Sequence, residues 1–155
     1  MCIRDRDPGV VLYLLQECGL TPQAVSDLLY KQSGLLGVSG LSGDMRALLR
    51  SDEPRAAEAI ELFVFYIARQ IGALCASLRG LDALVFTAGI GENAPEIRKR
   101  VCETIAWLGI ALDPSANVAN ALRISATASQ VAVFVIPTDE EAMIAQHTRD
   151  LLQTN

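Results

Sequence analysis

"LVFTAGIGENAPEIRKR", residues 84–100, passes from an apolar run through two glycines, an acid, an amide and a proline into charged residues. The run "LDALVF" at 81–86 is typical of a strand covered on both faces, and the residues after Pro95 are typical of a helix. Glycines between a strand and a helix let backbone N–H groups approach a phosphate closely. The stretch therefore indicates a strand, a turn suited to a phosphate or a ribose, and a helix.

Two other interpretations of this turn stay open. Residues 89–94 satisfy the dinucleotide-binding pattern G-x-G-x-x-A, and Asp113 lies about where a ribose-binding acid belongs. Alternatively, the turn is purely structural, with Asn93 capping the following helix and Pro95 in its first turn. The glycine spacing alone does not choose among the three.

A second apolar run, "VAVFVIP" at 131–137, also leads directly into a predicted helix, at 138–153. Two buried strands that each precede a helix favour α/β organisation with parallel pairing, in which ligands bind at the carboxyl ends of the strands. Residues 114–130, between these elements, are predicted to form a loop with one strand or short helix.

Residues 7–80 are predicted to be mainly helical. Asp7 and Thr21, each followed by a proline, mark the starts of two helices. Four glycines within 34–43 predict a loop that allows close backbone approach. A long helix follows "SDEPR", and we expect its apolar stripe, which includes Leu74, to face the core.

The composition limits the classes of function. The chain has 155 residues, of which 51% are hydrophobic and 20% charged, as expected of one globular domain with a core. A net charge of −5 argues against binding to nucleic acid, and the basic run at 98–100 is interpreted as a solvated helix face. Charged residues within the long helix argue against a membrane span.

Cysteine, tryptophan and histidine give no sign of a metal or catalytic site. The cysteines lack the spacing of a zinc site or a disulfide framework. We interpret them as small buried thiols in a reducing cytoplasm, namely Cys2, Cys18, Cys75 and Cys102. Trp107 is interpreted as core packing and His147 as a surface residue.

Two charged segments are candidates for ligand binding. In "GLSGDMR" at 40–46, Asp44 offers a carboxylate for hydroxyls and Arg46 a planar guanidinium for stacking or anion contact, although an N-cap and an exposed cation are the simpler interpretation. In "IPTDEEA" at 136–142, a carboxylate at the end of a strand suits Mg²⁺. The simpler interpretation there is a capping box made by Thr138 and Glu141.

Four stretches, in this order and at these separations, closely resemble the acetate kinase family. They are "SGLLGVSGLSGDMR" at 33–46, "LDALVFTAGIGENAPEIR" at 81–98, "WLGIALD" at 107–113 and "VIPTDEEAMIAQHT" at 135–148. The resemblance runs from about Asp7 to the C-terminus. It implies an α/β, ribonuclease-H-like fold of the actin, sugar-kinase and Hsp70 superfamily, in which two domains enclose the active site.

The resemblance also implies functional residues, with ATP or ADP as the nucleotide and Mg²⁺ as the cofactor. Those that match the adenosine-contacting segment are Asp44, Met45 and Arg46. Those that match the nucleotide-lining loop are Gly89, Ile90, Gly91, Glu92 and Asn93. Glu140 aligns with the family's magnesium ligand. Asp139 stands where the family has asparagine, so which of the two carboxylates faces the metal stays open.

By the same resemblance, residues 7–155 correspond to the C-terminal, nucleotide-binding part of an acetate kinase, incomplete because the N-terminal domain is absent. Met1 to Arg6 are interpreted as a non-native leader. The parent reaction transfers a phosphoryl group reversibly from ATP to acetate, in a cytoplasmic homodimer; propionate or butyrate as the acceptor stays open. The chain alone is expected to be inactive, because the groups that stabilise the moving phosphoryl belong to the absent part.

Overall fold

The computed structural model describes residues 7–153, with the side chains of Glu140 and Gln153 outside that description. The leader predicted at residues 1–6 therefore lies outside the described residues. The chain divides into two compact units, one up to Phe63 and the other from Val64 onward. The division falls inside the long helix.

The first unit is helical, as predicted. Its helices are α1 (Pro8–Gln16), α2 (Pro22–Lys31), α3 (Gly34–Ser39), α4 (Met45–Leu49) and the first part of α5 (Pro54–Leu78). The two predicted N-caps are confirmed: the Asp7 carboxylate accepts from the Gly9 N–H, and the Thr21 hydroxyl accepts from the Ala24 N–H.

The prediction of a loop at 34–43 is wrong for the first half of that segment, which forms helix α3. Gly40, at the end of this helix, has φ of +65°, the left-handed conformation common at helix C-termini, and Gly34, the first residue of the helix, has φ of +67°. At Gly37 an added Cβ would lie 2.8 Å from the main-chain oxygen of Gln32. The glycines therefore shape a short helix rather than interrupt one.

Helix α5 buries one narrow stripe. The buried residues are Ala56, Ala59, Ile60, Val64, Ala68 and Cys75. The prediction that Leu74 faces the core is wrong, because its side chain is 55% exposed, one residue around the helix from Cys75. Among the described residues, α5 is the one helix that length and composition alone would allow to cross a membrane, and 28% of its most apolar window is buried. Core helices of water-soluble proteins pass the same test, so this is weak support for a span.

The second unit contains the sheet. After the rest of α5 come β1 (Ala83–Phe86), α6 (Ala88–Asn93), α7 (Pro95–Thr104), a 3₁₀ turn (Ala106–Leu108), α8 (Pro114–Val118), β2 (Ala132–Val135) and α9 (Glu140–Gln153). Strands β1 and β2 pair in parallel, which confirms the predicted pairing, and Phe86 lies opposite Val135. The carboxyl ends of both strands therefore lie side by side, next to α6 and to the segment that leads into α9.

The two strands differ in burial. Val133 and Val135 of β2 are buried, and main-chain hydrogen bonds connect β2 to residues 122–124 on its far edge. In β1 burial alternates, and Val85 is 47% exposed. The prediction that β1 is covered on both faces is therefore wrong; an apolar run with period-two burial packs on one face only.

Two residues that were predicted to be buried, Cys18 and Trp107, are exposed. Cys75 and Cys102 are buried as predicted, but Cys18 is exposed, and Cys2 lies outside the described residues. Trp107, expected in the core, is 71% exposed. Its ring and Phe65 of α5 line an open groove of about 270 Å³.

We expect the isolated chain to self-associate, because an exposed apolar groove and the outer edge of β1 both favour contact between copies. Sedimentation velocity over a range of concentrations measures this. Replacing Trp107 by serine should lower the associated fraction, whereas Tyr30→Ser, at an exposed aromatic residue of α2, should not. A single monomeric species at every concentration would contradict the expectation.

Candidate functional site

In the first unit, the candidate segment at 39–46 is a chain of capped turns. The hydroxyl of buried Ser39 accepts from the N–H groups of Leu41 and Ser42 and donates to the Ser42 carbonyl oxygen. The Ser42 hydroxyl accepts from the Asp44 N–H at 3.0 Å, and the Asp44 carboxylate accepts from the Arg46 N–H at 2.9 Å. Each turn thus fixes the next, and Asp44 begins α4 as its N-cap.

Asp44 and Arg46 also bind each other at the protein surface. The Arg46 Nη2 donates to Asp44 Oδ2 at 3.0 Å, and the hydrogen bonds from Arg46 hold the pKa of the Asp44 carboxyl below its ordinary value. The Arg46 side chain remains 78% exposed, so the face of its guanidinium is open to a planar ligand. Met45, in contrast, is buried in the core of this unit. The structure therefore presents Asp44 and Arg46, but not the Met45 side chain, to a ligand.

In the second unit, the predicted turn at 89–93 lies entirely within helix α6. The chain leaves β1 through extended Thr87 and begins α6 at Ala88, a non-glycine residue with φ of +57°. Such a left-handed residue costs free energy and is common at ligand sites. The turn predicted between strand and helix is therefore shorter and more strained than its sequence suggests.

The two glycines of α6 serve different purposes. An added Cβ at Gly91 would lie 3.4 Å from the carbonyl carbon of Phe86, at the close limit of ordinary contact, so Gly91 faces the end of β1. A Cβ at Gly89 would meet no heavy atom within 4 Å. Gly89 is exposed, and the space beside it is free for a bound molecule.

The interpretation of Asn93 as the cap of the next helix is wrong. Its side-chain Nδ2 donates to the Gly89 carbonyl oxygen at 2.9 Å, within α6. Helix α7 begins at Pro95, as predicted, and Ala94 is its N-cap residue without a side-chain bond. Asn93 thus stabilises α6 rather than starting α7.

Arg98 is the most unexpected residue of this unit. The basic run at 98–100 was interpreted as a solvated face, and for Arg98 that is wrong, because its side chain is fully buried. Its Nη1 donates to the main-chain oxygens of Gly91 and Glu92, both at 2.8 Å. Its Nε and Nη2 donate to Oδ1 and the main-chain oxygen of Asn117, both at 2.7 Å, and Nη2 also donates to Asn120 Oδ1.

This arginine fastens the end of α6 to α8. All five of its partners are neutral oxygens, which matches the five N–H donors of a guanidinium. Burial lowers the pKa of Arg98 below its ordinary value. The sequence does carry a signal for this position, because Arg98 lies one helical turn from Ala94 and from Cys102, both buried.

A second long-range contact joins α6 to the segment before α9. The Thr138 N–H and hydroxyl donate to the same carboxylate oxygen of Glu92, at 2.9 Å and 3.1 Å. These bonds, the one from the N–H first, hold the pKa of Glu92 below its ordinary value, with a smaller contribution from the Ala88 N–H. The predicted capping box of Thr138 and Glu141 is wrong, because the residue that caps α9 is Asp139, while the Thr138 hydroxyl donates to Glu92.

At the start of α9, Asp139 takes the capping role instead. Its Oδ1 accepts from the Ala142 N–H at 2.8 Å. The side chain of Glu140, the predicted magnesium ligand, lies outside the described residues. His147 is exposed, as predicted. In the part of the chain that the structure describes, no group of three or more His, Cys, Asp or Glu side chains is arranged to hold a metal ion.

Asp113, the ribose-binding acid in the dinucleotide interpretation, is a helix cap in the structure. Asp113 caps α8, and its Oδ1 accepts from the N–H groups of Ser115 and Ala116. It also follows only an isolated antiparallel bridge, formed by Leu112 and Ser125, rather than a parallel strand. The geometry around Asp113 therefore gives the dinucleotide interpretation no support.

The comparisons with known proteins agree with one another. Residues 3–146 match the model of the acetokinase family. The acetate kinase of Rhodopseudomonas palustris strain TIE-1 is 64% identical over 145 residues, which are 92% of this chain and 36% of that protein. The crystal structure of Porphyromonas gingivalis acetate kinase superposes with a TM-score of 0.83 at 40% identity, over 96% of this chain and 39% of that one.

A propionate kinase is similar as well. The crystal structure of the Francisella tularensis enzyme has a TM-score of 0.82 at 38% identity, over 91% of this chain and 37% of that one. The chain thus spans well under half the length of the relatives it matches, and its fold is the mixed helix and sheet arrangement of these kinases. With a family model that covers nearly all of its residues, the chain belongs to the acetokinase family.

Proposed function

We propose that the chain is the nucleotide-binding part of an enzyme that reversibly transfers the γ-phosphoryl group of ATP to acetate, giving acetyl phosphate and ADP. The observation that carries the proposal is the 64% identity to an acetate kinase over 145 residues. Such identity over nearly the whole chain is far more specific than the glycine spacing of α6. The enzyme is proposed to be a cytoplasmic homodimer that binds neither nucleic acid nor membrane.

Asp44 and Arg46 of the first unit are proposed as nucleotide contacts, and residues 89–93 of the second unit are proposed, separately, as a nucleotide-lining segment. The open guanidinium face of Arg46 suits stacking on a base, and the Asp44 carboxylate suits a hydroxyl of the ribose. Gly89 supports the assignment, because the free space beside it allows a ligand to approach the main chain. Met45 is proposed to act indirectly, by anchoring this segment in the core.

Glu140 is proposed to hold Mg²⁺, which takes one or two carboxylates and completes its shell with waters and phosphate oxygens. The donors at 138–140 fit this ion by type, since they are oxygen ligands and Asp139 is exposed. Asp139 already caps α9 through Oδ1, which favours Glu140 as the residue that faces the metal. When bound, Mg²⁺ neutralises phosphate charge; the residues of this chain position the nucleotide.

Propionate is the second candidate acceptor, favoured by the similarity to a solved propionate kinase. Butyrate remains a third within the same family. The described residues offer no pocket that is assigned to the acceptor, so the choice of acetate rests on the named relatives.

A titration of ADP tests the proposal. We expect the 155-residue chain to bind ADP, and to bind it more tightly in Mg²⁺ than in EDTA, as measured by isothermal titration calorimetry. Arg46→Ala should weaken binding by roughly tenfold, the equivalent of one cation–π contact. Lys31→Ala serves as the matched control, because Lys31 is an exposed cation paired with Asp27 on α2.

The same titration distinguishes the dinucleotide interpretation. Binding of NAD that needs no Mg²⁺ and is lost in Asp113→Ala would replace the kinase assignment. Absence of any ADP binding by the folded chain would contradict the kinase assignment.

A further inference from the structure

Glu92 joins the two segments to which the proposed function assigns the nucleotide and the metal. It belongs to α6, while Thr138 immediately precedes Asp139, which caps α9, and Glu140, with which α9 begins. Both donors of Thr138 converge on one oxygen, Glu92 Oε1. The residues are 46 positions apart in sequence, so this contact exists only in the folded chain.

The Thr138 side of this contact is otherwise lightly held. Residues 136–139 form neither helix nor strand. Ile136 is fixed to β1 by its N–H bond to Phe86, and Pro137 has no N–H to donate. Among the described residues, the bonds of Thr138 to Glu92 are the hydrogen bonds that connect this linker directly to α6.

The Glu92 side of the contact is firmly held. The main-chain oxygens of Gly91 and Glu92 accept from buried Arg98, which also binds Asn117 and Asn120. Helix α6 is thus anchored in the interior of the second unit at the residue whose side chain reaches Thr138. The two hydrogen bonds of Thr138 therefore connect the linker at 136–139 to an anchored helix.

We propose that Glu92 is a positioning residue that couples ADP binding to Mg²⁺ binding, because its carboxylate fixes α6 to the residues that precede Glu140. The inference rests on the proposed function and adds a role for Glu92 other than contact with the nucleotide. A carboxylate free to turn toward phosphates would repel them, whereas one that accepts two hydrogen bonds is held in place.

Calorimetric titrations on the 155-residue chain test the coupling. The quantity measured is the ratio of ADP affinities in Mg²⁺ and in EDTA. We expect this ratio to fall by at least about fivefold in Glu92→Ala, the lower end of typical couplings between sites. The affinity for Mg²⁺ with and without ADP should change by the same factor, because such coupling is reciprocal.

Conservative variants distinguish two roles of Glu92, a hydrogen bond to Thr138 and direct contact with a ligand. Glu92→Gln keeps an acceptor oxygen for Thr138 without the charge, and we expect it to retain most of the ratio. Thr138→Val removes the hydroxyl but keeps the N–H, and we expect a partial loss. Glu103→Ala, at an exposed acid of α7, is the matched control and should leave the ratio unchanged.

Each outcome bears on the inference. An unchanged ratio in Glu92→Ala overturns the coupling and leaves the proposed function intact. A loss in Glu92→Gln as large as in Glu92→Ala also overturns it, because the charge itself is then required. If the unaltered chain binds no ADP, the proposed function fails and the coupling fails with it. Circular dichroism of every variant establishes that the fold is retained, which the exposed position of these bonds leads us to expect.

Discussion

Replacing Arg98 by alanine is expected to lower the free energy of unfolding by about 3–5 kcal/mol, a large part of the stability of a small domain. The truncation removes the five hydrogen bonds of a fully buried side chain and leaves their acceptors on Gly91, Glu92, Asn117 and Asn120, of which Asn117 is itself buried. Each buried acceptor without a partner costs about 1–3 kcal/mol, part of which water entering the cavity recovers.

Urea unfolding followed by circular dichroism measures the effect of Arg98→Ala. Arg100→Ala is a close control, because Arg100 lies on the same helix and its ion pair with Glu96 is exposed to solvent. An exposed pair contributes at most about 1 kcal/mol. Equal midpoints for the two variants would contradict the role assigned to Arg98. Arg98→Lys should fall between them, since an ammonium cannot reach all the partners of a planar guanidinium.

The second large effect concerns activity. We expect the 155-residue chain by itself to form no detectable acetyl phosphate from ATP, acetate and Mg²⁺, at least about 10³-fold below a full-length relative. Phosphoryl transfer depends on charged groups placed around the moving phosphoryl, and the chain spans 36% of the length of the Rhodopseudomonas palustris acetate kinase. The family resemblance assigns those groups to the remaining length.

A direct assay of acetyl phosphate tests this expectation. The full-length Rhodopseudomonas palustris enzyme, assayed in parallel, is the positive control. A chimaera that carries residues 3–146 of this chain in place of the matching segment of that enzyme should be active, because the segments are 64% identical. Robust turnover by the 155-residue chain alone would contradict the prediction, and an inactive chimaera would contradict the assignment of this chain to the same reaction.

Local signals in the sequence were sufficient for much of the fold. Asp7 and Thr21, each before a proline, start helices where predicted. The two apolar runs that lead into helices pair as parallel strands. The helix starts depend on neighbours in the chain, whereas the parallel pairing follows from the order of strands and helices along the chain.

The failed predictions at Thr138 and Arg98 share one physical feature, which is a partner distant in the sequence. Thr138 has the sequence of a capping residue, but α9 begins one residue later with Asp139 as its cap, and the Thr138 hydroxyl donates to Glu92. Arg98 lies in a basic run, yet five oxygens from other segments satisfy it in the interior. Charge and capping rules cannot foresee these contacts, because only tertiary structure brings the acceptors within reach.

For the candidate site, local sequence patterns predicted a helix cap, whereas the family resemblance predicted the ligand-binding residues. Capping rules predicted the place of Asp44 at the start of α4, which the structure confirms. The assignments of Arg46, Gly89 and Glu140 to ligands came from the family resemblance and stay predictions. The contact between Glu92 and Thr138 became visible only in the folded chain.

The two sides of α5 should differ sharply in mutational tolerance. Its inner stripe is made largely of small side chains, such as Ala56, Ala59 and Ala68, which are buried and leave no room for enlargement. Its outer side carries large apolar groups in contact with water, such as Phe65 and Leu78. Polar replacements on the outer side are therefore expected to reduce aggregation of samples for crystallisation or spectroscopy. The buried alanines are positions that a library of variants should leave unchanged.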